Sequence, residues 1–160
     1  KGLDKNMVCT AMQLLSGEVP AGKNALIIGG GLIGMESADF LSARGSETTI
    51  VEILEKSPVT RRTGHGYHLH ARLREAGCKF YFKTSVESIE EDSVIIVTDE
   101  KQETLSPIDQ VVVAVGMRPN EGLKQTLKDK DISHTVVGDS VQVRRIIEAT
   151  EEGGAGARAA

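Results

Sequence analysis

Ala25-Leu-Ile-Ile-Gly-Gly-Gly-Leu-Ile-Gly-Met-Glu36 decides the fold. Lys23 to Gly29 reads as a short apolar strand. Directly after Gly30-Gly31 a helical segment runs from about Leu32 to Arg44, with Ile33, Phe40 and Leu41 at helical spacing and Gly45 as its stop. At the junction, Gly29, Gly31 and Gly34 satisfy G-x-G-x-x-G. Gly29 permits a tight turn, Gly31 lets backbone approach a ligand, and Gly34 lets helix and strand pack closely. The following strand, Glu47-Thr-Thr-Ile-Val-Glu52, ends in an acid, 52 − 29 = 23 residues after the first glycine. That spacing is close to the ~20 residues of a dinucleotide-binding fingerprint.

The chemistry follows from this pattern. N–H groups left unpaired at the helix start, those of Leu32 and Ile33 included, point at phosphates. The Glu52 carboxylate can accept from both hydroxyls of an adenosine ribose, each bond worth on the order of 1.5–3 kcal/mol. A 2′-phosphate ~4 Å from that carboxylate meets roughly 4 kcal/mol of repulsion at an effective dielectric of ~20, so NADH is favoured over NADPH. Arg61 and Arg62 leave NADPH open, although both also read as plain surface charges. An S-adenosylmethionine site also uses a glycine loop and an acid. The third glycine and the strand pattern downstream argue against it.

Outward from this core, residues 1 to 20 read as a connector in which Thr10 caps a short helix, Ala11 to Leu15. A second helix follows Thr60-Arg-Arg-Thr-Gly64, with Leu69, Leu73 and Ala76 on one face, and Cys78 to Phe82 makes a third strand. The period then switches. Ser85 to Glu90, Val94 to Thr98 and Glu103 to Leu105 suggest an antiparallel meander, and Asp109 to Val115 returns to the sheet as a run apolar on both faces. Strand, helix, strand, helix, strand, meander, strand predicts a doubly wound α/β fold. Its expected form is a Rossmann-like three-layer domain with a central parallel sheet plus a three-stranded antiparallel β-meander.

Composition bounds the partners. The chain has 160 residues, 19 basic against 23 acidic, a net charge of −4, and only 3% aromatic residues with no Trp. This is the wrong charge for a nucleic-acid backbone binder, and the rings for single-strand stacking are lacking. No apolar run approaches the roughly 20 residues of a membrane span. Cys9 and Cys78 form no CxxC pair, and a reducing cytoplasm is expected. His65-Gly-Tyr-His-Leu-His70 lacks ligand spacing, so it reads as a solvated helix start and no metal is expected. Cys78 reads as a core thiol.

Three further segments carry a family resemblance. Gly116-Met-Arg-Pro-Asn120 resembles the AxGxxPN element of the FAD-dependent pyridine nucleotide-disulphide oxidoreductase superfamily, and Val137-Gly138-Asp139 resembles its GD element. Gly29-Gly-Gly-Leu-Ile-Gly-Met-Glu36 resembles its NAD(P)-domain loop. The resemblance implies that Asp139 holds the ribityl chain of a flavin, that Glu36 lies near nicotinamide and flavin, and that the backbone at Val86 contacts adenine. Gly116, at the carboxyl end of a parallel strand, would leave room for the nicotinamide half.

The step from Pro119 to Gly138 is short, 138 − 119 = 19, and Asp139-Ser-Val-Gln-Val-Arg-Arg-Ile-Ile-Glu-Ala149 resembles the arginine-rich run into the last helix of NADH:flavin oxidoreductases related to 2,4-dienoyl-CoA and 2-enoate reductases. Those enzymes also carry an N-terminal catalytic domain with FMN and an iron–sulfur cluster. The superfamily's FAD domain has its own glycine loop, whereas this sequence has one such loop in all.

The expectation is therefore a piece of a longer polypeptide. Residues 1–20 would be a connector from an FAD domain, 21–120 the NAD(P)-binding domain, and 121–160 a return segment to the FAD domain. The implied function is delivery of hydride from NADH to FAD, with an NADH-responsive module that catalyses nothing as the alternative. No residue stands out as a catalytic acid or base.

Overall fold

The computed structural model describes residues 1–159, in two compact units, Lys1–Gly116 and the described residues from Met117 onward. The first unit is built on five parallel strands, in the order β1 (Val8–Thr10), β8 (Gln110–Val113), β2 (Asn24–Ile28), β3 (Glu47–Val51) and β4 (Lys79–Tyr81). Chain order runs from β2 through β3 to β4 on one side, while β8 and β1 lie on the other. The sheet therefore has a switch point between β2 and β8, the place where open α/β sheets form ligand crevices.

Side chains that alternate along the strands feed two cores. Ala25 and Ile27 of β2, Ile50 of β3 and Val112 of β8 face one way. They pack with Ala11 and Leu14 of α1 (Ala11–Leu15), Met35, Ala38 and Leu41 of α2 (Leu32–Ser42), and Leu69 and Leu73 of α3 (Gly64–Glu75). Leu26, Val51 and Val111 face the other way, onto Ile89, Val94 and Ile96 of the meander β5 (Thr84–Ile89), β6 (Val94–Thr98) and β7 (Lys101–Leu105). The three layers are as expected, and helices form only one of the two outer ones. Helices α1, α2 and α3 cover one face, and the antiparallel meander covers the other. Central strands buried on both faces explain the continuous apolar runs in β2 and β8.

Local chemistry sets the boundaries. Thr10 caps α1 in a reciprocal capping box with Gln13. The preceding Val8–Thr10 joins the sheet edge beside β8, so residues read as connector also supply a strand to this unit. Asp99 and Glu100 both take positive φ, 47° and 63°, in a two-residue hairpin turn, and this brings Lys101 and Gln102 into β7. On α2 the buried stripe is Gly34, Met35, Ser37, Ala38 and Leu41, while Ile33 is 37% exposed and Phe40 only partly buried. Ala76, assigned from periodicity to the buried face of α3, is instead its exposed C-cap.

The second unit holds α4 (Gly122–Asp129), a single 3-10 turn at Gly138–Ser140 and α5 (Ile146–Ala159). Among the described residues no helix is long and apolar enough to cross a membrane.

Because Ile96 is fully buried in the layer that covers the sheet, Ile96→Ala should lower stability by about 2–5 kcal/mol in urea unfolding. Ile95, on the other face of β6 and only partly buried, should cost clearly less when changed to Ala. Equal losses would mean that the meander does not close this core.

Candidate functional site

The glycine loop sits at the carboxyl end of β2, and two close approaches shape it. Gly29 has φ of +107°, and a Cβ there would lie 2.6 Å from the Ala114 carbonyl oxygen after β8. A Cβ on Gly34 would lie 1.9 Å from the Gly29 carbonyl oxygen. No side chain fits in either place, so the first turn of α2 rests directly on the loop. Gly31, the N-cap of α2, has nothing within 4 Å of an added Cβ. The loop is thus closed on its protein side at Gly29 and Gly34, and open at Gly31.

A cleft of about 670 Å³ lies against that open side. It is walled by Ile28, Gly29, Gly31, Leu32 and Ile33 from the loop and helix start, by Val51, Glu52 and Ile53 from the end of β3, by Thr84 to Val86 from the meander, and by Val113 to Gly116 after β8. Seven of the ten expected site residues, Gly29, Gly31, Leu32, Ile33, Glu52, Val86 and Gly116, share this one cavity. Gly34 packs beneath it. Two others fall elsewhere. Glu36 Oε1 accepts from His65 Nε2 at 3.1 Å, and both side chains are substantially exposed. Asp139 belongs to the second unit.

Glu52 is 7% exposed. Its Oε2 accepts the Gly30 N–H at 2.6 Å and its Oε1 accepts the Leu54 N–H at 2.8 Å. An ionised carboxylate has about four acceptor positions, so two remain for a ligand in the cleft. The first N–H groups of α2 have no partner within the helix, and the helix dipole adds to their attraction for anions. The arrangement can therefore bind phosphate at one point and a diol at the other.

Cys9 and Cys78 are free thiols. Burial pushes both above the ordinary thiol value, and the bonds with Gln110 and Thr48, respectively, offset this in part. Neither is the low-pKa thiol that disulfide exchange requires. In the second unit Asp139 accepts the Arg144 N–H at 3.2 Å. Glu152 accepts from the Gly138 N–H at 2.7 Å and pairs with Arg144, and first the Arg144 bond and then the Gly138 bond hold its carboxyl below the usual range.

A family model described as pyridine nucleotide-disulphide oxidoreductase matches residues 2–143. The chain belongs to that family. Among curated relatives, an NADH oxidase of Thermoanaerobacter brockii is 33% identical over 159 residues, covering 96% of this chain and 24% of the relative. A bilirubin reductase of Mediterraneibacter gnavus is 34% identical over 137 residues, 85% of this chain and 21% of the relative. Among solved structures, a 2-naphthoyl-CoA reductase complex superposes with a TM-score of 0.85 at 26% identity, over 96% of this chain and 23% of that one. The 6-hydroxypseudooxynicotine amine oxidase of Pseudomonas geniculata N1 superposes at 0.87 and 25%, over 96% and 24%. The chain spans about a quarter of the length of these relatives.

Two residues important to the loop escaped the sequence reading. Gly30 is the x between the fingerprint glycines, yet it is buried and hydrogen-bonded through both its peptide groups. Ser57, whose hydroxyl donates to the Gly30 carbonyl at 2.8 Å, lies in a stretch without periodicity. No local pattern marks either. The two flanking glycines differ in a testable way. Gly34→Ala should cost at least the 1–3 kcal/mol typical of overpacking, about the worst case for that class, whereas Gly31→Ala, in open space, should stay within about 1 kcal/mol in thermal or urea unfolding.

Proposed function

We propose that this chain is the NAD(H)-binding domain of an FAD-dependent oxidoreductase and holds NADH so that hydride passes to FAD bound largely by chain beyond it. One observation carries the reading. A buried carboxylate with acceptor positions to spare shares a cleft with an open helix N-terminus at the sheet's switch point. In this reading Gly31, Leu32 and Ile33 bind the pyrophosphate through backbone N–H groups and Glu52 binds the adenosine ribose. The backbone near Val86 borders adenine, and Gly116 leaves room for the nicotinamide half. When bound, the coenzymes supply the redox chemistry, and the chain supplies position and electrostatics.

Glu36, next to His65, is assigned to the approach of nicotinamide and flavin, and Asp139 to the flavin's ribityl chain. Residues 1–20 and 121–160 would connect to an FAD-binding portion, with 21–120 as the coenzyme domain. An enzyme of the NADH:flavin, enoate or dienoyl-CoA reductase type accords with the reductase relatives, and a reducing cytoplasm accords with the two free thiols. An NADH-responsive module without catalysis is the second reading. It draws support from the cleft lining, in which Lys1 and Glu52 are the ionisable side chains among the described residues.

Calorimetric titration with NADH and NADPH tests the shared claim, and binding of neither would end it. Glu52→Ala should weaken NADH by on the order of 1.5–3 kcal/mol and NADPH clearly less, because NADPH also escapes repulsion from the carboxylate. Loss of the Gly30 contact affects both coenzymes alike, so the difference between them reports the ribose. Equal weakening would remove Glu52 from ribose recognition. Reduction of flavin by NADH in the full-length protein would separate the enzyme from the module.

A further inference from the structure

Gly30 is buried in the middle of the loop that faces the cleft, so both of its peptide groups need partners inside the protein. Both partners come from one short segment after β3. Glu52 accepts the Gly30 N–H at 2.6 Å, and the Ser57 hydroxyl donates to the Gly30 carbonyl at 2.8 Å. The same two side chains fold their own segment. Glu52 accepts the Leu54 N–H at 2.8 Å, and Ser57 accepts the Val59 N–H at 3.1 Å. A Cβ on Gly30 would come within 3.1 Å of the Glu52 Cβ and 3.2 Å of its Oε2, so a side chain there would push Glu52 back by a few tenths of an ångström.

The Gly30 carbonyl and the Gly31 N–H belong to one planar, trans peptide and point in opposite directions. Holding the carbonyl toward Ser57 therefore turns the Gly31 N–H away from Ser57. Ser57 lines a separate cleft, beside Lys56, Arg61 and Arg62, and is no part of the cavity that Gly31 lines. A peptide between two glycines has little steric preference of its own, and ordering it is entropically costly. Something outside the loop has to choose its orientation.

We propose that Ser57 is a positioning residue: by holding the Gly30 carbonyl it aims the Gly31 N–H into the coenzyme cleft and preorganises the loop for a pyrophosphate. This rests on the dinucleotide reading above. Ser57 touches no ligand in it and acts through the Gly30 carbonyl, the nearer of its hydroxyl's two acceptors at 2.8 Å against 3.2 Å for Met35 Sδ on α2. Glu52 acts from the other end of the same residue, so ribose recognition and phosphate-loop order are linked through one glycine.

The test compares wild type, Ser57→Ala and Ser57→Thr in the full 160-residue chain. Ser57→Ala should bind NADH and ADP-ribose about tenfold more weakly, roughly the loss of the Gly31 N–H bond to the pyrophosphate. Ser57→Thr, which keeps the hydroxyl, should recover most of that loss. In ligand-free protein, amide relaxation dispersion at Gly30 and Gly31 should be flat in wild type and Ser57→Thr, and should show microsecond-to-millisecond exchange in Ser57→Ala. Unchanged affinity in Ser57→Ala, an equal loss in Ser57→Thr, or flat dispersion in Ser57→Ala would each overturn the proposal. If wild type binds neither ligand, the dinucleotide reading fails. The ligand-free dispersion then decides by itself whether Ser57 orders the loop.

Discussion

The Gly30 N–H bonded to Glu52 joins the two halves of the β2-α2-β3 unit at their functional ends. Without it the carboxylate at the end of β3 would be a buried charge lacking one of its partners, and the loop after β2 would lack an anchor on that side. The contact is crowded by any side chain on Gly30, and it requires Gly29 and Gly34 to let α2 settle onto the loop. Three adjacent structural demands thus converge on one run of glycines. Only Gly31, which faces open space, is left to meet a ligand.

The sheet supplies the rigidity behind that loop. Alternate residues of β2, β3 and β8 feed a helical core on one face and the meander core on the other, so the strand ends that carry Gly29, Glu52 and Gly116 cannot shift independently. Using the meander as the second layer has a functional side. It brings Thr84 to Val86 to the cleft wall, where a helix in the same layer would present a rounded face. The cleft is mostly apolar, and its few polar groups are the backbone at the helix start, the Glu52 carboxylate, Lys1, and the hydroxyls of Thr84 and Ser85. That pattern suits the fixing of a large ligand's orientation.

Membership of the pyridine nucleotide-disulphide oxidoreductase family rests on nearly the whole chain, and the similar proteins are reductases and oxidases several times its length. The hydride transfer proposed above would be a property of coenzymes, and such a role asks the chain for position and electrostatics and for no catalytic acid or base. The Glu36–His65 contact illustrates the difference between motif and geometry. The acid occupies its motif position, but its side-chain hydrogen-bond partner, His65, comes from the start of α3, 29 residues on.

Much of the fold was legible because it is written in local periods. The apolar runs of β2, β3, β4 and β8, the 3.6-residue stripe of α3 at Leu69 and Leu73, and the change of period into the meander all depend on neighbours a few residues apart. The glycine spacing and the acid at Glu52 were legible for the same reason, as a motif in a strand-to-helix context. Helix faces were read less well: Ala76 became an exposed cap, since partial burial follows from what packs above a helix. The direction in which the second face was covered, the edge strand Val8–Thr10, and the clamp on Gly30 were decided only in the tertiary structure. Glu52 and Ser57 reach Gly30 across 22 and 27 residues of chain, and a hydrogen bond between a side chain and a distant peptide group leaves no periodic trace in sequence.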